Sequence, residues 1–359
     1  MEGAVLVGWA GLGLAVIMHV MFVSVTLGAG LLAAYLRSLS LRDPEWEVPA
    51  RRVFRILILT ELFSGVWGTI ITVFLAGFFP AIVALATNIL FTPIAIAIAA
   101  IMIRIPAIAA AWYTWGRISP KTHAALMWVM AISGFFIPFG FRAIFAEITA
   151  PKAVALYLDG ITPSPLAAWT NIVFWTLYLH TVLAVISTGA FVAASLASLD
   201  RDERVFGIAS KWGFYALLLQ LAAGPVYYFT LSRYSPLLFS NINGPLLPIL
   251  LLKLVGVIAL LYIGFKAYKG DIALGKWAGP LALLIVVLGE FLNDGGRGEY
   301  LVLIGDKGVP ATSFANFYMP IPLGAAFVIV GFFVIALAIF GTAAYYAIYK
   351  KFLSETPEQ

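Results

Sequence analysis

Residues 176–191 read TLYLHTVLAVISTGAF, an apolar run in which His180 is the one side chain able both to titrate and to coordinate a metal. The run lies inside a longer apolar stretch, 167–198. About 20 apolar residues suffice to cross the hydrocarbon core of a bilayer as a helix. An ionisable group at that depth is costly and rare, so the imidazole needs a reason.

The rest of the chain has the same character. Of 359 residues, 62% are hydrophobic and 11% charged, and the mean hydropathy is +1.00, far outside the range of soluble globular domains. Apolar runs recur near 6–36, 54–76, 91–115, 122–146, 167–198, 207–231, 244–268, 277–293 and 320–349. They predict an all-α, polytopic protein of the cell membrane with about nine transmembrane helices. The first run follows no basic segment and is too long for a signal-peptide core, so it reads as the first span. The absence of cysteine excludes disulfides, thiolate metal sites and thiol nucleophiles. With the N-terminus outside, fifteen Lys and Arg residues fall in inner connections, among them Arg51, Arg52, Arg201, Lys266 and Lys351, and five in outer ones. That asymmetry supports N outside and C inside. The formal net charge of +5 is therefore accounted for by topology and gives no reason to expect nucleic acid.

Two basic residues remain at membrane depth, Arg104 in the third span and Lys253 in the seventh. Glu61 in the second span is a partner within reach of Arg104. IMHVMFVSVTLGAG (17–30) and YLHTVLAVISTGAF (178–191) form a weak internal repeat, each with a histidine and, nine positions on, a glycine, Gly28 or Gly189. The repeat predicts two four-helix bundles, 1–150 and 151–300, followed by an outer loop, a final helix and a cytoplasmic tail over 301–359.

For His19 and His180 two readings stand. One is a neutral imidazole bonded across a helix interface. The other is an axial ligand to a haem, with Gly28, Ala29, Gly30, Gly189 and Ala190 admitting the porphyrin and Phe22, Trp175 and Tyr178 walling it. His123, at the inner end of the fourth span, fits the first reading. An ion-coupled transporter is a rival, using Glu61, Glu290, Pro106 and Pro225. No HExxH, Walker-type or Ser-His-Asp pattern occurs in a suitable context.

IMHVMFVSVTLG closely resembles the first-helix motif of subunit I of cytochrome bd quinol oxidases, whose histidine binds a high-spin haem. LHTVLAVISTGAF resembles the fifth-helix motif, whose histidine binds the low-spin b-type haem. WGRISPKTHAALMWVMAISG is similar to the link between helices three and four, with His123 as the non-ligand histidine and Trp128 as a matching tryptophan. NDGGRG resembles the end of helix eight, with Asp294 on the carboxylate position and Arg297 on the arginine.

The resemblance implies a quinol:oxygen oxidoreductase that carries one to three haems of type b, or b and d. It makes His19 and His180 metal ligands, with Asp294, or Glu290 one turn earlier, at a third site. Arg142 and Arg297 would face haem propionates. The partners implied are quinol, oxygen, a second large membrane subunit and a small single-span one. The chain also departs from the pattern. Lys253 and Val255 stand near the positions of an arginine and the methionine ligand of helix seven, which makes Lys253 a candidate ligand. Arg104 and alanines replace glutamates of helix three, and the long hydrophilic loop after helix six is reduced to RYSPLLFSNINGP. An alternative is a partner or electron-transfer subunit of a respiratory complex without its own oxygen-reducing site.

Overall fold

The structure, a computed structural model, describes residues 2–315, 322–328, 330–331, 334–335 and 338. Twelve α-helices lie between residues 2 and 295. They are α1 (Glu2–Leu39), α2 (Glu47–Phe78), α3 (Pro80–Ile89), α4 (Phe91–Tyr113), α5 (Pro120–Thr149), α6 (Ala153–Leu158), α7 (Ile172–Asp200), α8 (Glu203–Tyr234), α9 (Pro236–Asn243), α10 (Leu247–Tyr268), α11 (Ile272–Gly275) and α12 (Ala278–Gly295). Eight of the helical segments are long and apolar enough to cross a membrane: Gly3–Leu39, Pro44–Phe78, Phe91–Tyr113, Pro120–Thr149, Ile172–Asp200, Glu203–Tyr234, Leu247–Tyr268 and Ile272–Gly295. The chain is an all-α polytopic membrane protein. The ninth expected span, 320–349, lies mostly outside the described residues.

Helices are the natural element here because a lipid-exposed backbone must satisfy its own hydrogen bonds. The long helices begin where polar side chains cap free N–H groups. Ser119 accepts from the Thr122 N–H at α5, Asn171 from Val173 at α7 and Asp202 from Val205 at α8. The helix α7 ends on Arg201, which takes the left-handed conformation at φ 57°. Two short helices, α3 and α9, begin on prolines in segments expected to be loops. One hairpin interrupts the helical pattern, β1 (Tyr300–Ile304) pairing antiparallel with β2 (Lys307–Pro310), Ile304 opposite Lys307 and Tyr300 opposite Pro310.

Helices α1, α2, α4 and α5 pack as one group and α7, α8, α10 and α12 as another, joined chiefly where α1 meets α7. The join explains the repeat. A Cβ on Gly28 would fall 2.1 Å from the Val185 carbonyl oxygen, and one on Gly189 2.5 Å from the Gly28 Cα. The small residues GAG and TGA therefore let two backbones touch, as at small-residue crossings generally, and do not open a slot for a porphyrin. Ala29 and Ala190 are buried in the same crossing.

The ends of the long helices that carry Arg37, Arg51, Arg52, Lys121, Arg201, Arg204, Lys266, Lys269 and Lys276 share one face of the molecule, and the hairpin lies at the other. At the hairpin end, Trp9 Nε1–H donates to the Gly298 carbonyl (2.9 Å), and Asn241 of α9 donates to the Gly296 carbonyl (2.8 Å). Leu238 of α9 packs on Gly296, where a Cβ would meet it at 2.5 Å. The shortened connection after α8 thus folds back over the end of α12.

Candidate functional site: buried histidines and a charged cluster between the helices

His19 projects from α1 toward α2. Its Nδ1 lies 2.8 Å from the carbonyl oxygen of Ser64. A carbonyl only accepts, so Nδ1 carries the proton and Nε2 keeps its lone pair, the polarity of a ligating imidazole. Gly68 faces the ring, where a Cβ would come within 3.1 Å of Cε1. Phe22 and Phe63 stack alongside at 5.1 Å.

His180 projects from α7 onto one face of α8, formed by Gln220, Gly224 and Tyr227. The Gln220 amide nitrogen lies 2.8 Å from Nδ1 and 3.2 Å from Nε2. The Tyr227 ring stacks at 5.6 Å, and a Cβ on Gly224 would meet the imidazole at 3.7 Å.

Between the histidines lies a charged cluster. Arg142 of α5 pairs with Glu290 of α12 at 2.9 Å, and its guanidinium sits over Phe145. This pair interacts electrostatically with His19, and Arg142 also with His180. Asp294 follows Glu290 by one helical turn on the same face. One oxygen of each carboxylate, Glu290 Oε2 and Asp294 Oδ2, is buried without a hydrogen-bond partner. Arg297 donates to the carbonyls of Ile148 (3.1 Å) and Leu301 (3.3 Å) and to the Thr149 hydroxyl, while its Nε is a third orphan. Tyr227 donates to Asn293 at 3.4 Å. Lys253 points inward from α10 onto Gly289, where a Cβ would lie 3.0 Å from Nζ, whereas Val255 is 62% exposed on the outer side of the same helix. The register of α10 thus turns the lysine, and not Val255, toward the cluster.

Glu61 belongs to a separate network in the first group of helices. Its carboxylate takes three bonds from Arg104 at 3.0–3.3 Å and one from Thr26 at 2.6 Å. Arg104 is 1% exposed and also donates to the Met130 carbonyl (2.8 Å). Gly134 and Gly30 make room for the guanidinium. A Cβ on Gly134 would fall 2.3 Å from Nη1. Each group is fully engaged, which is what a buried ion pair needs to offset desolvation.

His123 takes no part in either cluster. Its Nε2–H donates to the Ala111 carbonyl (2.9 Å), its Nδ1 accepts from Arg37 Nε (3.0 Å), and Trp115 packs edge-on at 4.5 Å. No lone pair remains for a metal. Among the described residues no three His, Asp or Glu side chains converge on a common point that could hold a bare ion. His19, His180 and Asp294 are therefore three separate positions.

Three further residues in these networks, Ser64 through its carbonyl and Gln220 and Tyr227 through their side chains, lie outside the quoted motifs. Gln220 alone was detectable, as a lone amide in the apolar run ALLLQLAAGP, by the argument that singles out His180.

Span-length helices in two groups, with buried histidines and charges between them, define a class of polytopic helical membrane proteins, and the comparisons narrow it to one family. The model of the cytochrome bd terminal oxidase subunit I family matches residues 10–244, so the chain belongs to that family. A solved chain, described as the structure of bd oxidase from Geobacillus thermodenitrificans, shares the fold with a TM-score of 0.86 over 99% of this chain and 100% of its own, at 17% identity. No curated protein matches.

Proposed function

We propose that this chain is a haem-binding, multi-pass plasma-membrane subunit of a cytochrome bd-type quinol:oxygen oxidoreductase, with the basic face toward the cytoplasm. The observation that carries the reading is His19, a membrane-buried imidazole whose Nδ1–H is held by the Ser64 carbonyl, on the histidine motif of the family.

The side chains fit the group. His19 has a free Nε2 and a glycine before its ring, and His180 lies among Gln220, Gly224 and Tyr227. The orphaned Glu290 Oε2, Asp294 Oδ2 and Arg297 Nε are buried polar atoms still in need of partners. In this reading His180 holds a low-spin haem b and His19 another haem. Asp294 or Glu290 serves a third, and Arg142 and Arg297 neutralise propionates. Haem supplies a one-electron centre when bound. Lys253 would be the candidate second ligand of the low-spin haem, because it points inward from α10 and that helix carries no methionine. The grouping of α1, α2, α4 and α5 apart from α7, α8, α10 and α12 supports a division into bundles at 1–150 and 151–300. Quinol and oxygen are the substrates, and a second large subunit with a small single-span one completes the complex.

The fully engaged Glu61 favours a second reading, a bd-like electron-transfer or partner subunit without oxygen chemistry. A carboxylate locked to Arg104 by three bonds is poorly placed to pass protons inward. A pyridine haemochrome assay of the purified protein, with spectra before and after carbon monoxide, separates the two. Haem with a CO-reactive species supports the oxidase, haem without one supports the second reading, and no haem defeats the first.

A further inference from the structure

Arg37, Arg52, Arg104, Arg142 and Arg297 each donate hydrogen bonds to an acceptor within the protein. Arg51 of α2 does not. Its half-buried guanidinium lies over two indoles, 5.6 Å from the ring centre of Trp112 and 5.8 Å from that of Trp115, and meets no acceptor among the described residues. Its Nε is buried, which leaves the two Nη groups as the open part of the fork. Glu47, the carboxylate one turn earlier on α2, is engaged elsewhere, accepting from Trp115 Nε1–H at 3.0 Å and facing Arg37 at 3.6 Å. The indoles hold the guanidinium in place but leave its charge without a counter-ion.

These groups lie at the end of a span. Trp112 and the exposed Tyr113 close α4, Trp115 and Arg117 stand in the turn after it, and Lys121 opens α5 on the basic face. Aromatic rings beside basic side chains at such a place mark the boundary between hydrocarbon and water, where lipid headgroups lie. We propose that Arg51 anchors a binding site for an anionic phospholipid in the leaflet on that face. The guanidinium fork donates to two non-bridging oxygens of the lipid phosphodiester, the planar pairing for which arginine is suited. Arg117 and Lys121, both exposed, favour a headgroup of net negative charge over a zwitterionic one, whose ammonium they repel. Free phosphate offers the same oxygens, but a site at the end of a span, beside the exposed Tyr113, favours the ion that carries acyl chains. The proposal needs no haem and stands apart from the oxidase reading.

The test is thermal unfolding of the purified full-length protein in detergent with added phosphatidylglycerol, phosphatidylcholine or inorganic phosphate, together with native mass spectrometry of the retained lipid. Phosphatidylglycerol should raise the midpoint of the wild type, and the other two should not. Arg51→Gln should lose that rise and bind phosphatidylglycerol roughly five-fold more weakly, whereas Arg42→Gln, an exposed arginine of the same face, should keep both. Should the glutamine variant not fold, Arg51→Lys, which retains the charge without the fork, should still weaken binding. An equal rise with phosphatidylcholine, or with inorganic phosphate, overturns the proposal. Equal losses in the Arg51 and Arg42 variants overturn it as well, because the lipid would then be reading the basic face as a whole.

Discussion

Gly28 of α1 and Gly189 of α7 meet backbone to backbone, with no room for even a methyl group on either. The contact joins the two groups of helices at the level of their repeated motifs, so its integrity sets the spacing of everything built across it.

Gly189→Val should therefore destabilise the protein by ~3 kcal/mol or more, since the new side chain meets backbone, which cannot rotate away. Gly65→Ala is the matched control, because nothing lies within 4 Å of its absent Cβ. Thermal unfolding in detergent should show a large drop for the first and almost none for the second. Equal midpoints would mean that the crossing is looser than the glycines indicate.

The Arg104–Glu61 pair should behave as a unit. Removing one member strands a buried charge at a cost of ~3–5 kcal/mol, whereas replacing both by apolar side chains of similar volume is often nearly neutral. Arg104→Met should thus be severely destabilising alone and largely rescued by Glu61→Leu. A double-mutant cycle on unfolding free energy checks this, and additive losses would show that the two residues act independently.

These two cases show what the chain reveals before it is folded. The pairing of Glu61 with Arg104 is legible because charges at membrane depth need partners and adjacent spans offer few. The eight described spans are legible because 20 apolar residues in lipid have little choice but a helix. The glycines nine positions after each histidine are visible too, but their purpose is not. A small residue admits a cofactor or a neighbouring backbone equally well, and only the approach of α7 to α1 decides. Lys253 and Val255 differ by two positions, and helix rotation, absent from any motif alignment, settles which faces inward. The helices α3 and α9 are too short to leave a span-length signal. Gln220 belongs to no motif, and only the folded structure places it against the His180 ring.

Lys253 gives a third prediction. An amine ligates iron through its lone pair, so the neutral form is the one that can serve. If His180 holds a low-spin haem as proposed, Lys253→Ala should turn it from low to high spin, with a new CO-binding species, and Lys253→Met should restore a low-spin spectrum at higher potential. An unchanged spectrum in Lys253→Ala would move the second ligand to another helix.

The histidines provide the sharpest contrast, because the structure gives them different free atoms. His123 has both nitrogens engaged, so His123→Ala should leave every haem signal in place. It should nevertheless lower the unfolding midpoint, since the Arg37 guanidinium loses a buried acceptor at ~1–3 kcal/mol. His180→Ala should abolish the low-spin signal, and His19→Ala should remove a different, high-spin component, because the two rings lie on different helices with different neighbours. Optical and electron paramagnetic resonance spectra of the three variants at matched protein concentration read all three outcomes. If His123→Ala lost a haem while retaining its unfolding midpoint, the assignment of ligands would be reversed. If His19→Ala and His180→Ala lost the same signal, the two imidazoles would serve one centre rather than two.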